Sequence, residues 1–447
     1  MTQTLFQKPY QAAELLIRQA HVLDPRSGID APHDVLIRNG MIAEISAPGT
    51  VAVDSLPPTT AVVEAAGKRL FPAFVDPHVH LRSPGQEYKE NIDTGTASAA
   101  AGGFCQLIAM PNTSPVIDAV TTLRSLTTVA GQQARVPTGF LAAITVGLKG
   151  TDLSPMAALA DAGALGFTDD GKPVTSAGML RKALQYQRLA GGVVALHEED
   201  PALSGSGAMH EGAVSAKLGV AGIPSISEST MVARDSAIAT YEDARVHFQH
   251  LSCVESVQAL AYWRDQGARV TGEATPHHLT LTDEAVRTLD TRFKMNPPLR
   301  TEADRQAIIE GLRSGVISCI ATDHAPHARH EKEMPFEQAP MGTTGLETSF
   351  AAVYTELVRP GVLALDLVVE RMTVGGSLYG LPIPTIATDA QANVVLVDLE
   401  HTWTVGANGY ASRSENCCFH GRELHGVVEL TVAAGAVVYE HGQEADN

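Results

Sequence analysis

The chain has 447 residues, 44% of them hydrophobic and 5% aromatic, enough apolar material for one large domain with a smaller companion. A formal net charge of −18 excludes a general nucleic-acid or anionic-membrane surface, so an anionic ligand must be met by a local cluster of Arg, His or metal. The five cysteines (Cys105, Cys253, Cys319, Cys417 and Cys418) lack C-x-x-C spacing, the start of the chain has no signal-peptide pattern, and no apolar run approaches the roughly 20 residues of a spanning helix; a cytoplasmic protein with reduced thiols is expected.

Residues 13–65 read as strands. Leu15–Arg18, His21–Leu23 and Asp34–Arg38 lead to the turn Asn39-Gly40, and Met41–Ile45 follows it; apolar runs flanking Asn-Gly are a hairpin signal. From about 68 to 385 the pattern changes to alternation. Candidate strands are Phe71–Val75, Gln106–Ala109, Gly139–Ile144, Leu165–Phe167, Val193–Leu196, Arg245–His250, Val270–Glu273, Phe293–Asn296 and Val316–Ala321. Between them lie helical stretches at Thr94–Ala101, Met156–Ala162, Leu180–Leu189, Ser256–Gln266 and Glu302–Leu312. Strand–helix alternation at this length predicts an α/β fold, a (β/α)8 TIM-like barrel. The tail returns to strands at Ala392–Asp398, Val427–Val432 and Ala436–Glu440. Residues 1–67 and 386–447 are therefore expected to meet in a small β-sandwich, with the barrel at 68–385.

In such barrels the active site is built at the C-terminal ends of the strands. His78 and His80, at i and i+2 after an apolar run, face one side of an extended segment, and Arg82 shares that side by the same period. Further candidates close other strands: Asp169 and Asp170, then His197, then His250, then Asp323 with His324 and His327. A single His at a strand end is an ordinary boundary residue, but their joint occurrence on separate strands is hard to explain that way. Imidazoles and carboxylates in this number suit Zn²⁺ and exceed one tetrahedral site. They fit two ions bridged by a carboxylate, with a hydroxide made available because the bound water's pKa falls toward about 7.

The sequence resembles the amidohydrolase superfamily and, within it, the dihydroorotase family. The resemblance rests on Phe74–Arg82 with Pro84-Gly85, Met110-Pro111-Asn112-Thr113, Phe167–Gly171, Thr275–Leu279, Asn296–Arg300 and Thr322–His327. It implies one or two Zn²⁺ ions, the first held by His78, His80 and Asp323, the second by His197 and His250, with Asp170 bridging. It implies Asp323 as general base and acid; His80, Arg82, Asn112, Asn296 and His327 as substrate contacts; and the Met341-Gly342 loop touching the ring through its backbone. Many relatives bridge the metals with a carboxylated lysine; here the matching segment offers Asp169-Asp170, and Lys172 lies beyond Gly171.

The implied reaction is the reversible cyclisation of N-carbamoyl-L-aspartate to dihydroorotate and water in de novo pyrimidine synthesis, by a zinc-bound hydroxide and the Asp base. The alternative is a hydantoinase, dihydropyrimidinase or allantoinase, whose substrates need no carboxylate beside the ring. A homodimer, and assembly with aspartate transcarbamoylase, also follow from the resemblance alone. His247, His277, His278 and His324 are expected to serve structure or to orient ligands. Glu198, Glu199 and Asp200 are expected to be solvated or to cap helices. Asp76 either pairs with a ligand His or caps its strand. Cys417-Cys418 is assigned to the tail with no catalytic role.

Overall fold

In the computed structural model, which describes residues 4–442, the N-terminal stretch forms β1 (Leu15–Asp24), β2 (Ile29–Arg38), β3 (Met41–Ser46), β4 (Ala61–Glu64) and β5 (Arg69–Pro72). The middle contributes β6 (Phe74–Val79), β7 (Phe104–Ala109), β8 (Thr138–Phe140), β9 (Phe167–Thr168), β10 (Val194–Leu196), β11 (Met209–His210), β12 (Gly222–Ile223), β13 (Val246–Phe248), β14 (Val270–Ala274) and β15 (Cys319–Ile320). The tail adds β16 (Val394–Thr404), β17 (Glu423–Ala433) and β18 (Ala436–Glu440).

Both ends of the chain share one eight-stranded sheet, ordered β18-β17-β16-β5-β1-β2-β3 with β4 also on β1. Where a sandwich is expected, hydrogen bonding links these strands into one continuous sheet. Its core gathers Ile17, Val35, Ile37 and Leu70 from the N-terminal side with Val394, Leu396 and Leu430 from the tail. The β2–β3 hairpin turns through Asn39 and Gly40 at φ +48° and +72°, the pair of positive values that a two-residue type I′ turn requires. A Cβ on Gly40 would lie 2.7 Å from the Gly435 carbonyl oxygen, so the two end hairpins touch through bare backbone.

The middle is strands and helices in alternation. β6-β7-β8 form one parallel run and β9-β10-β13-β14-β15 another. Single parallel bridges join the two runs, Ala142 to Phe167 on one side and Val79 to His324 on the other. β6 and β7 are buried at every position, as strands covered on both faces must be, and both are mainly apolar, with Asp76, His78 and Gln106 as buried polar residues. β11 and β12 pair only with each other.

The expected helices appear at Ile92–Ala101, Met156–Asp161, Ala177–Ala190, Val254–Asp265 and Glu302–Ser314. Helices at Val120–Gln133, Ile226–Tyr241 and Leu365–Thr373 were not among them. Ile226–Tyr241 hides its periodicity because its buried face includes Ser227, Glu228, Ser229, Asp235 and Ser236. Two expected strands are corrected. Phe71–Val75 divides at Ala73, where β5 stays in the terminal sheet while β6 joins the parallel run. Phe293–Asn296 is the end of a 3-10 turn (Thr291–Phe293) and a loop. Among the described residues no helix is long and apolar enough to cross a membrane.

Candidate active site

The strand ends bring six side chains into one buried cluster. His78, His80 and Asp323 form one triad and Asp170, His197 and His250 another, with the ligand-type atoms of each within 4.8 Å of one another. His78 Nε2 lies 3.4 Å and His80 Nε2 3.1 Å from Asp323 Oδ1. Asp170 stands between the triads. Its Oδ2 is 3.3 Å from His80 Nε2, and its Oδ1 is 3.5 Å from His78 Nε2, 3.6 Å from His250 Nε2 and 3.9 Å from His197 Nδ1. An ion held at about 2.0–2.2 Å by tetrahedral donors sets neighbouring donors about 3.3 Å apart, close to this spacing. His78 Nε2 is buried with no hydrogen-bond partner. Buried polar atoms are rarely left so, and the nitrogen–oxygen donor set fits divalent metal. Arg82, His250 and Asp323 have left-handed backbones (φ +55°, +35° and +47°), conformations costly for non-glycine residues that persist where the surroundings enforce them.

Acceptors behind the histidines decide which nitrogen faces the centre. His78 Nδ1 lies 2.6 Å from Glu273 Oε1, and His80 Nδ1 lies 2.9 Å from Asn112 Oδ1. His197 Nε2 lies 3.2 Å from Glu199 Oε2. Each partner oxygen accepts, so the proton sits on the outer nitrogen and the lone pair turns inward. Burial raises the Glu273 carboxyl, but His78 and His247 outweigh it and hold it at about 2. Glu199 is likewise pulled to about 2 against burial, chiefly by His197. Burial also opposes ionisation of Asp323; a His78 protonated on both nitrogens, with the bond to His80, overcomes it and leaves that carboxyl well below its usual range.

Sequence reading missed two of these acceptors. Glu273, at the end of β14, was read only as a strand residue; it serves His78, His247 Nε2 at 2.9 Å and the His250 backbone N–H at 3.2 Å. Glu199, expected to be solvated or capping, holds His197 and also takes Asn296 Nδ2 at 2.7 Å. Asp76 does not partner an imidazole. It accepts from the backbone of His78 and from Thr322 Oγ1 at 2.5 Å, tying β6 to the end of β15. Asp169 accepts from Ile144 N, Thr145 N and Thr145 Oγ1, and so fixes the loop while its neighbour Asp170 faces the cluster. His278 bonds Thr275 Oγ1 and the Pro297 carbonyl beside Asn296. His277 Nε2 is buried without a partner.

Arg82 Nε donates to the Pro326 carbonyl at 3.1 Å. Burial lowers the Arg82 pKa, and the nearby carboxylates of Asp323 and Asp170 oppose that. Asn112 Nδ2 reaches the Asp170 carboxylate at 3.3 Å. His327 Nε2–H donates to the Met341 carbonyl at 2.8 Å, leaving Nδ1 buried without a hydrogen bond, 3.6 Å from Glu331 Oε2. Burial, then the charges of Arg82, Lys332 and Lys89, push this imidazole down to about 2, so it is neutral. In the Met341-Gly342 loop, the Gly342 N–H donates to the Lys294 carbonyl at 2.8 Å. Cys417 and Cys418, expected in the tail, pack instead against the loop at Thr343-Thr344.

Comparison of the sequence with known proteins points to one family. A family model described as dihydro-orotase-like matches residues 67–256. A dihydroorotase of Pelotomaculum thermopropionicum is 43% identical over 428 residues, spanning 96% of this chain and 99% of that protein. One of Anaeromyxobacter sp. (strain K) is 43% identical over 435 residues, spanning 96% and 98%. Among solved structures, an L-hydantoinase (dihydropyrimidinase) of Arthrobacter aurescens superposes with a TM-score of 0.85 at 24% identity, over 97% of this chain and 98% of that one. A dihydropyrimidinase of Brevibacillus agri gives 0.81 at 23%, over 96% and 95%. At such identities these two speak for the fold.

Proposed function

The chain belongs to the dihydroorotase family, a family of metal-dependent cyclic amidohydrolases, and from that premise we propose that it interconverts N-carbamoyl-L-aspartate and dihydroorotate. The observation that carries the reading is the pair of buried triads meeting at Asp170, with Arg82 and Asn112 beside them. We read the parallel strands as a closed (β/α)8 barrel; the Ala142–Phe167 and Val79–His324 bridges support closure. In this reading His78, His80 and Asp323 hold one ion, His197 and His250 a second, and Asp170 bridges. Imidazole and carboxylate donors are the kind that hold zinc in catalytic sites, and Zn²⁺ is the ion this reading assigns.

A bound metal supplies Lewis-acid polarisation of the ring amide carbonyl and activation of water. The protein supplies the rest. Arg82 offers planar paired donors to the substrate carboxylate, and Asn112 stands beside it while orienting His80. Asp323, ionised and facing both His78 and His80, takes the proton of the attacking water and returns it to the departing ring nitrogen. In ring closure the ureido nitrogen attacks the side-chain carboxyl and gives its proton to Asp323, which passes it to the carboxyl oxygen whose C–O bond breaks; with one further proton from solvent that oxygen leaves as water. Closure consumes one proton overall, so lower pH favours the ring. His327 Nδ1 can donate to a carboxylate only if the ring gains a second proton, which an incoming anion would favour by offsetting the surrounding cations.

The test is a direct assay of dihydroorotate hydrolysis and carbamoyl-aspartate cyclisation, alongside an unsubstituted hydantoin and dihydrouracil. Turnover of dihydroorotate well above both is expected. Preference for a ring without a carboxylate would move the chain to the hydantoinase type.

A further inference from the structure

Resting on that reading, we propose that Lys332 and Asn416 act as positioning residues that clamp the Met341-Gly342 loop against the Asn296 and His327 segments, and so set affinity for the substrate. Neither belongs to the metal-ligand cluster or to the substrate contacts named above.

Lys332 ends the short helix Arg329–Lys332 and is 9% exposed. Its Nζ donates to the carbonyls of Thr291 at 2.8 Å, Pro340 at 2.9 Å and Lys294 at 3.4 Å. An ammonium has three donors and no acceptor, so these oxygens use all of it. Thr291 and Lys294 lie just before Asn296, and Pro340 immediately before Met341. One side chain therefore ties the approach to Asn296 to the approach to the loop. Burial, then the charge of Lys294, lowers the Lys332 amine to about 7; burying an ammonium is costly unless its donors are met, and a site that only needed filling would be served by an apolar side chain.

Asn416 reaches the same loops from the opposite part of the chain, the connection between β16 and β17. It is 4% exposed. Its Oδ1 accepts from His327 N at 2.9 Å, and its Nδ2 donates to Ala325 O at 3.0 Å and Gly342 O at 3.1 Å. All of its principal bonding capacity goes to backbone on both sides of the loop contact. That contact is tight: a Cβ on Gly342 would meet Ala325 Cβ at 2.8 Å and His327 Nε2 at 3.1 Å. Together the two side chains span every loop that carries Asn296, His327 and Met341-Gly342. These bonds fix where the loops stand, not the reacting atoms. Losing them lowers the population of the binding-ready arrangement, which appears in KM rather than in kcat.

The experiment is steady-state kinetics of Lys332→Met and Asn416→Ala on dihydroorotate, with metal content and thermal midpoint measured on the same preparations. Each variant should raise KM about tenfold, the size of one to two lost buried hydrogen bonds, at full metal content and with kcat within about threefold of the parent. Lys332→Gln, which keeps two donors without the charge, should fall between parent and Lys332→Met. Unchanged KM in either folded variant, or a fall in kcat at constant KM, overturns the clamp. Should Lys332→Met fail to fold, Asn416→Ala and Lys332→Gln decide by the same criteria. If the parent itself does not turn over dihydroorotate, the functional reading fails instead, so the two failures are distinguishable.

Discussion

The metal-ligand cluster and the loops beside it are positioned by different means. His78, His197, His250 and Asp170 stand at or just past the ends of parallel strands, and Glu273 on β14 holds the His78 ring and the His250 backbone N–H. Asn296, His327, Met341 and Gly342 lie in irregular backbone, and side chains from elsewhere reach in to hold it: Glu199 on Asn296, Lys332 on Pro340, Asn416 on Gly342. Rigid strands fix where the chemistry happens. In the proposed reading the loops, set by a few side-chain bonds, fix what is admitted. Changes at the cluster should therefore act on turnover or metal, and changes at the loops on KM.

The largest effects should come from the cluster. Removing metal with a chelator should abolish dihydroorotate hydrolysis, and adding Zn²⁺ should restore it; activity surviving exhaustive chelation with metal shown absent would break the comparison at its root. Asp323→Asn should lower kcat about 10²–10⁴-fold, the span ascribed to a positioned general acid–base group, with the circular dichroism spectrum unchanged. Glu273→Gln should cost about 10–100-fold in metal affinity or activity, because an amide orients His78 less well than a carboxylate; equilibrium dialysis with Zn²⁺ checks it. On the loop side, Arg82→Met should raise KM for dihydroorotate by about tenfold or more while altering kcat far less, as expected for a charged hydrogen-bond donor lost from substrate binding. The smallest effect on activity should come from the terminal sheet. Gly40→Ala places a Cβ 2.7 Å from the Gly435 carbonyl at a φ of +72°, and should cost about 1–2 kcal/mol of stability with kcat/KM unchanged. A drop in kcat/KM there would show that the sheet and the site are coupled.

The sequence was legible where chemistry follows a short-range period. His78 and His80 share a side because side chains alternate along a strand, and Asn39-Gly40 specifies its hairpin through positive φ. The identities of the other ligands needed the resemblance, since Asp169 and Asp170 look alike in sequence; only their partners separate them, Asp169 turned to Ile144 and Thr145 and Asp170 to the histidines. The helix Ile226–Tyr241 escaped because its buried face carries acids and serines, among them Glu228, which accepts from the Ser252 N–H.

Local order along the chain thus determined the succession of strands and helices and the residue types at the strand ends. Tertiary structure alone decided that Glu273 backs His78 from 195 residues away, that Glu199 is shared by His197 and Asn296, and that Asn416 of the tail holds Gly342. The physical reason is that hydrogen bonds between strand ends and loops depend on strand order and register. Those are settled by burial of the whole apolar surface at once, and no local periodicity encodes them.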